Sequence, residues 1–209
     1  MTELILIRHG ETDWNVEHRI QGHTDIPLNR AGLEQAAAIG ERFRDLDADV
    51  LVSSDLRRAM QTMSPIASLQ GKPVSADERL RERNLGILQG KTREEAQRLA
   101  PEAFEIFRSR APDAPLEHGE SLATFANRVI GVLLELAEQH EGRRIVAVTH
   151  GGVLDIAYRH AAAISLEAPR TFPIHNASIN TFQVQDKQFR LVDWGDISHL
   201  PDQSVMDET

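Results

Sequence analysis

Leu4-Ile5-Leu6-Ile7-Arg8-His9-Gly10-Glu11-Thr12 is the stretch whose reading decides the fold. Four aliphatic residues without alternation predict a strand buried on both faces, the kind found in parallel sheets covered by helices. The polar triplet Arg8-His9-Gly10 then stands at the strand's carboxyl end, the edge of an open α/β sheet where ligands bind. A second run, Ile145-Val146-Ala147-Val148-Thr149, ends in His150-Gly151-Gly152. If the two strands are neighbours, two histidines meet at one rim.

Working outward, Glu11 to Leu28 has no clean period and reads as a loop with a short helical turn. Asn29 caps a helical pattern running through Leu33, Ala36, Ala37, Gly40, Phe43 and Leu46. Asp49-Val50-Leu51-Val52-Ser53 predicts the next strand, with Ser54-Asp55 as caps of a helix that carries Arg58 and that Pro65 should kink or break. Such a helix start directly after a strand is a ready anion site. Pro73-Val74-Ser75 suggests a short strand. Thr92 to about Phe107 reads as one amphipathic helix, stopped by Ala111-Pro112-Asp113-Ala114-Pro115. A long helix from about Ser121 to His140 and another over Gly152 to Ala163 flank the second aliphatic run. Ile179 to Val184 and Phe189 to Val192 form a hairpin at the sheet edge. The expected architecture is a three-layer α/β domain over 1–196, its central sheet mostly parallel, with helices on both faces and an antiparallel edge. A cap insertion at about 91–120 and a loose polar tail at 197–209 complete it.

The 209 residues fit one domain, and 41% hydrophobic with 26% charged residues is ordinary for a globular chain. No apolar run is long enough to span a bilayer and no leader is recognisable, so the expected location is cytoplasmic. No cysteine is present, which removes thiolate metal sites and thiol nucleophiles. Twenty-three basic against 32 acidic residues give a net charge of −9, which argues against nucleic-acid or anionic membrane partners.

Gly86-Ile87-Leu88-Gln89-Gly90-Lys91-Thr92 imitates a phosphate-binding P-loop, but three residues rather than four separate its glycines and no strand precedes it. A metal site from His9, His150 and Asp155 is disfavoured by the adjacent Arg8 cation. Arg8 and Arg58, by contrast, are permanent planar cations suited to a phosphate dianion. With His9 and His150 beside them, the residues favour phosphoryl transfer through histidine. A packing or surface role for any one of them is weakened by three strand ends delivering the same kind of residue.

Arg8-His9-Gly10-Glu11-Thr12, Ser53-Ser54-Asp55-Leu56-Arg57-Arg58-Ala59, Leu80-Arg81-Glu82-Arg83 with Gly86, Gly119-Glu120-Ser121 and Thr149-His150-Gly151-Gly152 resemble the successive motifs of the histidine phosphatase superfamily, the cofactor-dependent phosphoglycerate mutase-like proteins. The resemblance implies that His9 is the nucleophile, that Arg8, Arg58 and His150 hold the transferred phosphoryl group, and that Glu82 donates the leaving-group proton. It also implies that Asn15, Gln21 and Gly22 contact phosphate or substrate and that Gly151 offers a backbone N–H. Asn84-Leu85 stand where mutases have His-Tyr, and Arg93, Arg108 and Arg110 only partly supply a mutase's downstream basic residues. A phosphatase branch acting on small phosphorylated metabolites is therefore expected, with no metal or cofactor. The alternatives are a mutase requiring 2,3-bisphosphoglycerate and a non-catalytic phospholigand binder. A homodimer through an edge strand is common among such relatives.

Overall fold

The computed structural model describes residues 1–201. The aliphatic run forms β1 (Thr2–Arg8), followed by the single turn α1 (Asp13–Val16) and by α2 (Arg30–Arg42), whose first turn is capped by the Asn29 side chain on the Gly32 N–H. β2 (Val50–Ser53), α3 (Arg57–Gln70) and β3 (Val74–Ala76) come next. The insertion carries α4 (Arg93–Leu99) and α5 (Pro101–Ser109). Then follow α6 (Leu122–Gln139), β4 (Arg144–Thr149), α7 (Gly151–Ala162), β5 (Ile179–Gln185) and β6 (Gln188–Asp196).

The strands form one sheet in the order β3-β2-β4-β1-β5-β6. β3, β2, β4 and β1 are parallel, and β5 and β6 add the antiparallel edge. Alternation along β1 sends Leu4 and Leu6 into the core beneath α6 and α7, and Ile5 and Ile7 into the core beneath α2 and α3. Both faces are thus covered, as the unbroken apolar run requires. A third, separate cluster of Leu85, Leu88, Ala96, Ala100, Ala103, Phe104 and Leu116 gives the insertion a small core of its own. No helix among the described residues is long and apolar enough to cross a membrane.

Several local expectations need correction. Pro65 does not break α3, which continues to Gln70. Gly40 on α2 leaves room for the proline ring, since a Cβ there would lie 2.7 Å from the Pro65 Cβ, so close helix packing offsets the lost backbone hydrogen bond. The cap of α3 is not supplied by Ser54-Asp55 either: the Arg57 N–H donates to Asp25 Oδ1 at 2.7 Å, and Asp55 pairs with Arg81. The helix expected from Thr92 to Phe107 is two helices, because Pro101 has no N–H and starts α5 rather than continuing α4. The start of the presumed tail returns to the core: Leu200 is buried and Ile197 packs beside it. The rest of that segment, 202–209, lies outside the described residues.

Candidate active site

Register places the reactive groups. Arg8 of β1 pairs with Thr149 of β4, so His9 and His150 follow at the same level, with ring centroids 5.2 Å apart. The His9 amide donates to the Thr149 carbonyl at 2.9 Å, and the His9 carbonyl accepts from Ala177 N–H and the Asn176 side chain. His9 Nδ1 lies 2.7 Å from the Gly10 carbonyl oxygen. A carbonyl can only accept, so Nδ1 carries the proton and Nε2 keeps a free lone pair. Burial, reinforced by the Arg58 and Arg8 charges, holds the His9 pKa well below the ordinary histidine value. The imidazole is therefore neutral, the form a nucleophile needs.

Arg58 is fully buried, and each of its three nitrogens makes one hydrogen bond, leaving a second N–H on both Nη1 and Nη2: Nε donates to His150 Nδ1 at 3.2 Å, Nη1 to the Thr24 carbonyl at 2.8 Å and Nη2 to the Gly22 carbonyl at 2.7 Å. Gly22 reaches that position with φ of +53°, a left-handed value that suits glycine. Burial lowers the Arg58 pKa to about 10, opposed by the charges of Glu82 and Asp25, so it stays a cation near neutrality. Because His150 Nδ1 accepts from Arg58, its proton sits on Nε2, which lies 2.8 Å from Ser54 Oγ and donates to it. Burial first, then the Arg58 charge, pushes the His150 pKa well down. Arg8 is also buried and donates from Nη1 to the Ile174 carbonyl at 2.8 Å.

Glu82 sits between two backbone donors, with Arg83 N–H 2.7 Å from Oε1 and Gly152 N–H 2.8 Å from Oε2. Gly152 lies in the first turn of α7, where amides have no helical partner. The loop carrying Glu82 is gathered by Arg128 of α6. Its Nη1 donates to the Arg79 and Arg81 carbonyls at 2.7 and 3.0 Å, and its Nη2 to the Glu82 carbonyl at 3.2 Å and to Glu120 Oε2 at 2.7 Å. The His23 ring adds a contact of 2.8 Å to the same Glu82 carbonyl. Sequence reasoning quoted Gly152 in a motif without giving it a role, and passed over His23 and Arg128. Arg128 left one faint signal, a cation three residues beyond Phe125 at the margin of the apolar stripe of α6, and it lies over that ring at 5.1 Å.

A cavity of about 190 Å³ opens between these groups. Arg8, His9, Arg58 and Glu82 line it, joined by Asn15, Gln21, Gly22 and Gly151. His150 does not: it is fully buried behind the wall, braced against His9 and Arg58. Asn15 has a local duty as well, since its Oδ1 accepts from the Thr12 N–H in the capping box of α1. The wall also includes Arg83 of the third motif, Arg110 and Asp155, weighed above as a basic substrate residue and as a metal ligand, and Arg170, which the sequence reading did not single out. Asp155 is engaged by Arg159 at 3.0 Å and Arg110 at 2.7 Å. Among the described residues no cluster of three or more histidine and acidic side chains is arranged to hold a metal.

Residues 4–197 match the histidine phosphatase superfamily (branch 1). The chain is 41% identical over 202 residues to phosphoglycerate mutase-like protein 4 of Arabidopsis thaliana, covering 95% of this chain and 86% of that protein. It is 39% identical over 203 residues to the metal-independent phosphoserine phosphatase of the same plant, covering 96% and 84%. The phosphoserine phosphatase of Entamoeba histolytica, solved in complex with 3-phosphoglyceric acid, superposes with a TM-score of 0.85 at 32% identity, covering 95% of this chain and 99% of that one.

Proposed function

We propose a mechanism and a substrate range for a chain that belongs to the histidine phosphatase superfamily and is a phosphoric monoester hydrolase. In this reading His9 Nε2 attacks the phosphorus of a small phosphomonoester, and the bond from phosphorus to the ester oxygen breaks. Glu82, protonated at that moment, gives its proton to the departing alkoxide and is left as a carboxylate. The same carboxylate then takes a proton from water as the water oxygen attacks phosphohistidine. The P–N bond breaks, releasing orthophosphate and restoring His9 and Glu82. Charge developing on the three equatorial oxygens is met by Arg8 and Arg58, preorganised cations in a largely buried site. His150 acts from behind, keeping Arg58 oriented.

The observation that carries the reading is the Nδ1 contact to the Gly10 carbonyl, which leaves the His9 Nε2 lone pair free in a cavity shared with two arginines and a carboxylate. Relatives named for phosphoserine phosphatase activity support a small phosphorylated substrate, and phosphoserine and 3-phosphoglycerate head the panel to test. Purified protein is incubated with phosphomonoesters with and without 2,3-bisphosphoglycerate and with and without a chelator, and both free phosphate and isomerised product are recorded. Phosphate release that needs neither cofactor nor metal is expected. Isomerisation dependent on the bisphosphate makes the chain a mutase, and activity lost to the chelator and restored by metal overturns the arginine-based mechanism.

A further inference from the structure

The fourth motif, Gly119-Glu120-Ser121, sends no group into the cavity, and neither does Arg128, yet the Glu120 and Arg128 side chains form a largely buried ion pair. The chain leaving the 3₁₀ turn Glu78–Leu80 passes through Glu82 without joining a strand or helix, so its carbonyls depend on other partners. Four successive carbonyls find side chains. Arg128 Nη1 donates to those of Arg79 and Arg81 and Nη2 to that of Glu82, while Thr149 Oγ1 donates to that of Leu80 at 2.8 Å. Arg128 Nε and Nη2 also fork onto Glu120, reaching Oε1 at 2.9 Å and Oε2 at 2.7 Å. All five N–H donors of this guanidinium are thereby used.

Glu120 is the second anchor of the same loop. Its Oε2 also accepts from the Asn84 N–H at 2.8 Å, its own N–H donates to the Asn84 carbonyl at 2.8 Å, and its carbonyl accepts from Arg83 Nε at 3.0 Å. Burial opposes ionisation of Glu120, but the bonds from Arg128 and from the Asn84 N–H outweigh it and hold the pKa below the ordinary glutamate value. Gly119 permits the close approach, since a Cβ there would stand 2.6 Å from the Asn84 carbonyl oxygen. Ser121 then caps α6 on the Thr124 N–H. The helix therefore starts directly after Glu120 and returns Arg128 over it about two turns later.

We propose that Arg128 and Glu120 are positioning residues for the proton transfers at Glu82, holding residues 79–84 so that its carboxyl meets the departing ester oxygen and then the attacking water. The N–H groups of Arg83 and Gly152 aim the carboxyl only while the backbone beneath it is fixed. The clamp also sets that backbone against the sheet, because Thr149, which holds the Leu80 carbonyl, pairs with Arg8 and precedes His150. Proton donor and nucleophile are thus referred to one rim. A bidentate, shielded guanidinium fork gives this geometry, and a lysine ammonium, with three donors and no plane, does not. The inference rests on the reading of Glu82 as proton donor and assigns what keeps it in place.

The test is a double-mutant cycle between Arg128→Ala and Glu82→Gln, read as single-turnover phosphoryl transfer from hexyl phosphate and from nitrophenyl phosphate. Arg128→Ala should slow transfer from the alkyl ester by about 10²-fold, the cost of a donor displaced by about 1 Å, and from the aryl ester by less than about tenfold. The half-saturating concentration of either ester should stay within about threefold, because Arg8 and Arg58, not Arg128, hold the phosphoryl group. In the Glu82→Gln background the same substitution should cost the alkyl ester less than about threefold, since Arg128 acts through Glu82. Arg128→Lys should remain about tenfold or more below the unsubstituted protein on the alkyl ester. Equal losses on the two esters, a loss in half-saturation alone, a full second loss in the Glu82→Gln background, or full activity in Arg128→Lys each overturn the proposal. An alkyl-selective loss in Glu82→Gln itself keeps the donor reading standing in those cases. Equal losses in Glu82→Gln sink the donor reading, and the clamp's role falls with it. If Arg128→Ala does not fold, Glu120→Gln takes its place in the cycle, with an alkyl-selective loss of about tenfold expected and an equal loss on both esters overturning the proposal.

Discussion

Glu82 Oε2 accepts a hydrogen bond of 2.8 Å from the backbone N–H of Gly152, in the first turn of α7. The carboxylate proposed as proton donor is thus positioned by the helix that follows His150, and the two halves of the site are built as one unit.

Glu82→Gln keeps the size of the side chain but removes its proton donor. Hydrolysis of alkyl phosphates should fall by about 10²- to 10⁴-fold, the usual contribution of a general acid. Aryl phosphates, whose leaving groups depart without a proton, should lose much less in the phosphorylation step under single-turnover conditions. Equal losses on both classes contradict the assignment.

Gly152→Ala should act through Glu82. A Cβ at this position would overlap Glu82 Oε1 and come 3.2 Å from Phe125 Cε1, so the carboxylate must move. Displacement by about 1 Å can cost on the order of 10²-fold in rate. The loss should be larger for alkyl than for aryl esters, with the urea midpoint little changed. A uniform loss on both would assign Gly152 to packing alone.

Acid should weaken the fold through the buried imidazoles. His9 and His150 stay neutral when folded because burial and the nearby arginines lower their pKa values, whereas the unfolded chain binds protons near the ordinary histidine value of about 6.5. Their contribution is fully present above that value and is lost as pH falls below it toward the folded pKa values, by up to about 1.4 kcal/mol per pH unit for each histidine. Urea unfolding between about pH 7.5 and 5.5 should give a falling midpoint, and His9→Asn should flatten the slope. A midpoint that rises on acidification contradicts this.

The strand ends were legible because their physics is local. An aliphatic run that stops at Arg8-His9-Gly10 carries its burial and its rim in adjacent residues, and the sheet and its hairpin edge follow the expectation. What was illegible depends on distant partners. Pro65 is tolerated because of Gly40 on another helix, and the α3 cap comes from Asp25, 32 residues away. No spacing in the sequence encodes the contacts of His150 with Arg58 and Ser54.

The central claim is that His9 Nε2 takes the phosphoryl group. Glu82→Gln, which lacks the base for dephosphorylation, is mixed with an aryl phosphate and quenched, and the phosphorylated peptide is located by mass spectrometry, with the isomer assigned by phosphorus NMR. The account predicts one phosphate on His9 at Nε2, because Nδ1 is committed to the Gly10 carbonyl. Phosphate on His150, phosphate at Nδ1, or turnover with no phosphoenzyme at all would contradict it.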